Sequence, residues 1–492
     1  MTKKPILVLG SSGYVGTRLV EQLIIEGYKV RAVARNKNRL KNNFWAAHPS
    51  VEIISADILD LSQVRSACKS CETAYYLIHS MLSSKKGFAE ADRKAAQNFV
   101  NTAESEGLKR IIYLGGLGEK ESGMGEHLRS RAEVADILKS GKVPVTYLRA
   151  AMIIGSGGSS FEIVRYLVDR LPVMTTPNWV YTKSQPISIS NVIQYLTKSL
   201  EVPETIGETF DIGGPDILSY KELFDLYSGE AKLKKRWIVK LPILTPKMSS
   251  YWVALVTPVK LTLIRPLIEG LRTEAICKDN RIKNLIPQNL ITCKRAIRAA
   301  INPEQHFTVY NLKGLNENNY AYEWSRPGDP PYSGGQVFEG SFELITESTA
   351  EEIWEPLKQI STDLSCCYND IFWKWWRRAD AFAGDVAFRI GLPGTTFKSK
   401  DGVFWRVVSS EPKKRLVIIA EVEIFGWMLK EFLIESVENG GTKLKFNIKF
   451  HPRGLAGISY WFATSMLHQV VFNNIMSWVA GCLTKTCTIK YT

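Results

Sequence analysis

The sequence predicts an α/β chain: a doubly wound parallel sheet with a helical subdomain, followed by a separate α+β domain. Three observations predict it. From Ile6 to about residue 215, short β-branched runs alternate with helical stretches. A glycine-rich turn joins the first such run to the first helix. After residue 336 the order changes to long alternating runs followed by one long apolar stretch.

The elements follow in order. "ILVLG" is the first strand, "GTRLVEQLIIEG" a helix closed by Gly27, and "KVRAVAR" the second strand. "VEIISAD", "TAYYLIH", "RIIYLGG" and "VTYLRA" are the third to sixth. Between the fourth and fifth, Ala91, Ala95, Phe99 and Ala103 recur every four residues, which puts them on one face of a helix over 88–106. Residues 301–336, rich in Asn, Pro and Gly and ending "SRPGDPPYSGGQ", read as a linker. Beyond it "VFEGSFELIT" alternates like a strand and "TAEEIWEPLKQI" is amphipathic. "GVFWRVVSS", "RLVIIAEVEI", "MLKEFLIESV" and "TKLKFNIKF" are four more strands, and a long apolar helix over about 457–483 closes the chain. The expected boundaries are 1–228 for the parallel-sheet domain, 229–300 for a basic helical subdomain that completes it, 301–336 for the linker and 337–488 for the α+β domain.

Composition narrows the class. The chain has 492 residues, 45% apolar and 23% charged, enough to bury more than one core. "MTKKPILVLG" is too short and too strand-like for a secretory leader, so a cytoplasmic protein is expected. The eight Cys are scattered, without the paired spacing of a zinc site, and read as reduced thiols. The net charge of +14 is concentrated in residues 229–300, where fifteen Lys and Arg face four Asp and Glu. That segment includes "WIVKLPILTPKMSSYWVALVTPVKLTLIRPLIEGL", whose apolar runs are broken by Lys, Arg and Pro and fall short of the ~20 residues of a spanning helix. Two readings of residues 232–298 stand side by side: a basic, aromatic surface suited to the inner face of an anionic membrane, or a subdomain with its basic face simply in water. No nucleic-acid partner is expected, because no reader motif accompanies the cations.

Gly10, Gly13 and Gly16 stand in GxxGxxG spacing at a strand-to-helix junction. The first permits a tight turn, the second lets the backbone approach a pyrophosphate, and the third lets the helix pack on the strand. The helix N-terminus adds free N–H groups and partial positive charge. A dinucleotide site follows, with Ser12, Tyr14 and Val15 as the other contacts of the turn. The second strand ends "AVARNKNR", with no acid to take ribose hydroxyls and with Arg35, Lys37 and Arg39 to meet a 2′-phosphate, so NADP(H) is expected ahead of NAD(H). Asp57 and Ile58, after the third strand, are placed for the adenine edge, and His79, after the fourth, for the nicotinamide ribose.

In "GSSGYVG", "VRAVAR", "ADILD", "AYYLIHSM" and "DIGGPDILSYKEL" the first 300 residues resemble an atypical or extended short-chain dehydrogenase/reductase with a Rossmann sheet. "HLRSRAEV", "LTPKMSSYWVALVTPV" and "FHPRGLAGISYWFA" resemble a bacterial subgroup of NmrA-like NAD(P)-binding proteins that carry a C-terminal domain of unknown function. The C-terminal half resembles a helix-grip domain of the polyketide cyclase and START type, which implies a sheet curved around a long helix and an apolar cavity.

The resemblance implies a Tyr proton donor, a Lys four residues on and a Ser or Thr after the fifth strand. Here His127 and Arg131 stand in the first two places, and Gly115 in "LGGLG" in the third. Either His127 is the acid and Arg131 the fixed cation, or both only hold the cofactor and the domain binds it without turnover. Tyr113 and Tyr181 are lesser candidates for a hydroxyl, and no metal set is apparent. Trp373, Trp375 and Trp376 suggest a lid or an interdomain contact. The resulting expectation is an NADP(H)-dependent oxidoreductase of an apolar carbonyl or quinone-like molecule; the alternative is a non-catalytic NADP(H) sensor or scaffold.

Overall fold

The computed structural model describes residues 4–41, 43, 45–78, 88–118, 125–241, 245–301, 328–362, 396–398, 404–422, 425–437, 441–483 and 487–491. The chain divides into two compact units, Met1–Gly335 and Gln336–Thr492.

All six expected strands of the first unit are present: β1 (Ile6–Leu9), β2 (Val30–Ala34), β3 (Val51–Ser55), β4 (Thr73–Tyr76), β5 (Arg110–Gly116) and β6 (Val145–Ala150). They lie in the order β3-β2-β1-β4-β5-β6, extended by an edge strand Thr209–Ile212, and every neighbouring pair is parallel. The crossovers are α1 (Tyr14–Ile25), α2 (Asn38–Lys41), α3 (Leu61–Cys68), α4 (Phe88–Ser105) and α5 (Glu126–Lys139). Helices cover both faces, which is why β1 reads as an unbroken apolar run. Its Ile6 and Val8 join Leu19, Val20 and Leu23 of α1 in one core, while Leu7 and Leu9 join Ala95, Phe99 and Ala103 of α4 in the other. The order reverses at β1, where the chain runs to β2 on one side and β4 on the other, and a crevice opens at the strands' C-terminal ends.

The remainder of this unit holds α6 (Ser159–Arg170), α7 (Ile189–Lys198), α8 (Tyr220–Glu230), α9 (Pro246–Val256), α10 (Leu261–Gly270), α11 (Arg281–Leu285) and α12 (Cys293–Ile301). Phe161 and Val164 of α6, Leu223 of α8, Leu263 and Ile264 of α10 and Ile297 of α12 share a third core. The segment expected to be helical also contains a strand, Trp237–Lys240, paired in parallel with Val173–Thr176. The described end of the expected linker is not free chain. Asp329 is paired with Arg18, Tyr332 shares a hydrogen bond with Ser159, and the Gly334 N–H donates to Glu162, so residues 328–335 form part of the first unit's wall.

The second unit is a separate seven-stranded antiparallel sheet with the four expected middle strands at Phe404–Glu411, Arg415–Val422, Gly426–Ser436 and Thr442–Pro452. Phe338–Thr346 pairs with the last of these. The helix Gly454–Gly481 sets Phe472, Ile475, Met476 and Val479 against Phe342, Phe446 and Phe450 of the sheet. This helix does not close the chain as expected. "CTIKY", Cys487–Tyr491, returns as an edge strand on Phe338–Thr346, which otherwise leaves a row of backbone groups unpaired. Sheet and helices are what is established here; a helix-grip domain is a narrower description. Trp373, Trp375 and Trp376 lie outside the described residues. Among the described residues, no helix is long and apolar enough to cross a membrane.

Candidate functional site

The glycine turn sits at the reversal point of the sheet. Gly10 has φ +86°, and a Cβ there would come within 2.7 Å of the Leu77 carbonyl oxygen after β4; one on Gly16 would meet the Gly10 oxygen at 2.2 Å. Both positions therefore require glycine. Ser11 fastens the turn, its buried Oγ donating to the Val8 carbonyl at 2.6 Å and accepting the Val33 N–H at 3.0 Å, so β1 and β2 are tied where they splay. Among the described residues, no side chain caps the N-terminus of α1. The open amides of its first turn face the crevice with the positive end of the helix dipole behind them.

A cavity of about 650 Å³ begins at this turn and is lined by Gly10, Ser12, Gly13, Tyr14, Val15 and Gly16. Arg35, Asp57 and Ile58 line it as well, and so do His127 and Arg131. Of the residues expected to form the site, only His79 lies outside the described residues. Arg35, just past the end of β2, and Arg39, on α2, are exposed and both line the cavity. The Asp57 carboxylate accepts the Leu59 N–H at 3.0 Å, a local turn that holds Ile58 against the lining. A size of this order suits a dinucleotide together with a small substrate. Glycines for close approach, free helix amides and two cations at the far end fit a phosphorylated dinucleotide.

The opposite end departs from the expected chemistry for a visible reason. A Cβ on Gly115 would meet the Tyr147 ring at 2.6 Å and its hydroxyl oxygen at 2.7 Å, so no serine fits there without moving a buried tyrosine. Tyr147 stacks on Tyr113 with ring centroids 5.1 Å apart, and burial pushes its hydroxyl up to about 12. The Tyr113 hydroxyl donates to the Arg131 carbonyl at 3.2 Å, and Tyr181 is exposed; neither is on the cavity. Arg131 reaches from α5 to donate to the Leu114 carbonyl at 3.2 Å, fixing its charge at the C-terminal end of β5. His127 stands one helical turn earlier on the same cavity wall.

Beyond α5 the wall becomes apolar. α10 supplies Leu263, Pro266 and Leu267, and Leu128, Met152 and Tyr220 continue it. Leu128 bridges the two ends: a Cβ on Gly116 would meet it at 2.7 Å, and one on Gly270 at 3.7 Å. Tyr220 escaped the sequence reading. Its hydroxyl, pushed up to about 12 by burial with Ser184 opposing, stays protonated at neutral pH.

Arg18 and Asp329 were not anticipated either. Both are buried, and two N–H···O bonds of 2.9 and 2.8 Å join them. The same guanidinium donates to the carbonyls of Tyr14 and Ser156, so the first turn of α1, the loop before α6 and residues 328–335 meet at one point. Glu162 accepts from the Gly157 and Gly334 amides at 2.9 and 3.1 Å and lies 3.6 Å from Arg165. These two ion pairs set the loop Gly157–Ser160 that borders the cavity.

A family model described as NAD(P)H-binding matches residues 10–167, the part that builds the turn, β5 and α5. The first unit has a Rossmann-type α/β fold, and the stretch of it from residue 10 to 167 is similar to that NAD(P)H-binding family. Among curated relatives, the chain is 27% identical over 120 residues to cinnamoyl-CoA reductase 1 of Oryza sativa subsp. japonica, covering 24% of this chain and 35% of that protein. It is 23% identical over 299 residues to the mitochondrial NADH dehydrogenase [ubiquinone] 1 alpha subcomplex subunit 9 of Arabidopsis thaliana, 58% of this chain and 74% of that one. The chain thus spans about a third of the first relative's length and three quarters of the second's. Among solved structures, triphenylmethane reductase of Citrobacter sp. complexed with NADP(H) aligns with TM-score 0.49 at 17% identity, covering 60% of this chain and 99% of that one.

Proposed function

We propose that the first unit is an NADP(H)-dependent reductase of an apolar carbonyl or quinone-like compound. The observation that carries this is one cavity with three linings: a phosphate cradle at Gly10–Gly16, an ionisable pair on α5, and an apolar wall from α10. NADP(H), when bound, supplies a hydride. The turn amides and Gly13 would hold its pyrophosphate, and Arg35 and Arg39 a 2′-phosphate. Reduction of a carbonyl also consumes a proton, and His127, on the cavity wall, carries the ring nitrogens that would deliver one. Arg131 cannot shuttle protons, but its fixed charge at the Leu114 carbonyl favours a developing negative oxygen nearby. Leu263, Leu267 and Leu128 exclude water and select an apolar body.

A specific observation favours a second reading, a non-catalytic NADP(H) sensor: Tyr147 fills the space where a substrate-orienting hydroxyl would stand. The two readings separate in one experiment. NADPH consumption by the full chain is followed with short-chain quinones and aryl aldehydes, alongside direct NADPH titration. The reductase reading expects turnover that falls about 100-fold in His127→Ala while NADPH affinity is kept. Tight NADPH binding with no turnover on either substrate class selects the sensor. The second unit, with its long helix seated on a sheet, is proposed as a helix-grip domain that presents or stores the apolar ligand.

A further inference from the structure

α9 is apolar on its outer face as well as on the inner one, where Val253 is buried in the third core. Ser249 and Ser250 are buried, as is Thr257 just past its end, while Met248, Tyr251 and Leu255 are exposed. Spaced three and four residues apart, those three form one stripe along the helix, and Leu255 is 85% exposed. A surface helix held only by core packing carries polar side chains along such an outer row. The strand before it behaves alike. Trp237 is 74% exposed, Val239 and Leu241 are exposed after it, and Val173, in register with Trp237 on the paired strand, is exposed too. Single exposed apolar side chains are ordinary, but a helix stripe and a strand row within twenty residues are not.

The charge around these rows says what covers them. From Lys232 to Arg272 the chain has nine Lys and Arg against one carboxylate, Glu269. Lys232, Lys234, Lys235, Lys240, Lys247 and Lys260 are all exposed. Lys240 lies over the exposed Tyr181 ring at 5.8 Å, and Arg265 over Tyr251 at 5.9 Å, so cation and aromatic stand together, as suits the boundary between headgroups and acyl chains. A second copy of this face would bring like charges together, which disfavours self-association.

We propose that the strand Trp237–Lys240 and α9 form a docking face for an anionic lipid bilayer. Leu255, Tyr251, Met248 and Trp237 enter the interface and the lysines meet lipid phosphates. α9 packs on α10, and α10 supplies the apolar wall of the cavity, so the docked face adjoins the helix that would admit a lipid-soluble molecule. Docking itself does not depend on the reductase reading.

The test uses the full chain and sedimented vesicles of phosphatidylcholine alone or with about a third phosphatidylglycerol. The expected result is binding to the anionic vesicles only, reduced about tenfold in Leu255→Glu and in Lys247→Glu/Lys260→Glu, and weakened by high salt. Unchanged thermal melting and NADPH affinity show that the variants fold and that the cavity is intact. Absence of vesicle binding by the unaltered chain, or equal binding to neutral vesicles, overturns the proposal. A concentration-dependent dimer that Leu255→Glu dissociates, seen by sedimentation velocity without lipid binding, assigns the face to a second copy instead.

Discussion

The two ends of the cavity were built under different constraints. At the cradle every feature answers to geometry: Gly10 and Gly16 tolerate no Cβ, Ser11 ties two strands, and Arg18 locks the first helical turn. At the other end the fold is kept but the side chains differ, with His127, Arg131 and Gly115 where the resemblance implies Tyr, Lys and Ser. Cofactor binding is enforced by backbone shape, which few sequences satisfy. Proton delivery asks only for a group of suitable pKa within reach, and several side chains meet that demand. The contrast separates a site that sequence spells out from one that only geometry can read.

The contrast is broken most forcefully at the buried ion pair. Asp329→Ala leaves the Arg18 charge buried without its partner and is expected to cost about 3–5 kcal/mol, read by denaturant unfolding. If this pair sets the cradle, NADPH affinity falls as well. Asp169→Asn has the next effect and is pH-dependent. Burial raises the Asp169 carboxyl to about 6, opposed by Arg165, the Tyr227 hydroxyl and Arg236. Because the folded pKa lies above the unfolded one, ionising Asp169 destabilises the fold above pH 6, and the penalty fades as pH falls toward 4. The Asn variant should therefore be more stable than the parent at pH 8 by roughly 2 kcal/mol and no more stable at pH 4, read from melting curves at each pH. Gly115→Ala is expected to destabilise by about 1–3 kcal/mol, because its Cβ would press on Tyr147, and the same substitution should cost much less when made in a Tyr147→Ala background, read as the coupling in a double-mutant cycle. A Gly115→Ala chain as stable as the parent would mean that Tyr147 can move aside, leaving room for a catalytic hydroxyl.

Much of the fold was legible because burial on both faces makes each central strand a continuous apolar run and the turn has one workable spacing. The core face of α4 followed from the four-residue spacing of Ala91, Ala95, Phe99 and Ala103. What escaped depends on partners far along the chain. Asp329 meets Arg18 across 311 positions, and nothing in "RPGDPP" marks that aspartate as buried. The loss of the hydroxyl at residue 115 was visible, but its cause was not, since it needs the β5–β6 register that places Tyr147 beside it. Tyr220 lay within a motif noted for resemblance alone. The strand Cys487–Tyr491 was missed because a five-residue edge after a long apolar helix has little pattern of its own.

Calorimetric titration of the full chain tests most directly whether the cavity takes NADP(H) through its two ends of opposite character. NADPH should bind more tightly than NADH, and Arg35→Ala/Arg39→Ala should weaken NADPH about 10–100-fold while leaving NADH nearly unchanged. If neither nucleotide binds at micromolar concentration, or if the double variant weakens both equally, the cradle does not serve the cofactor assigned to it.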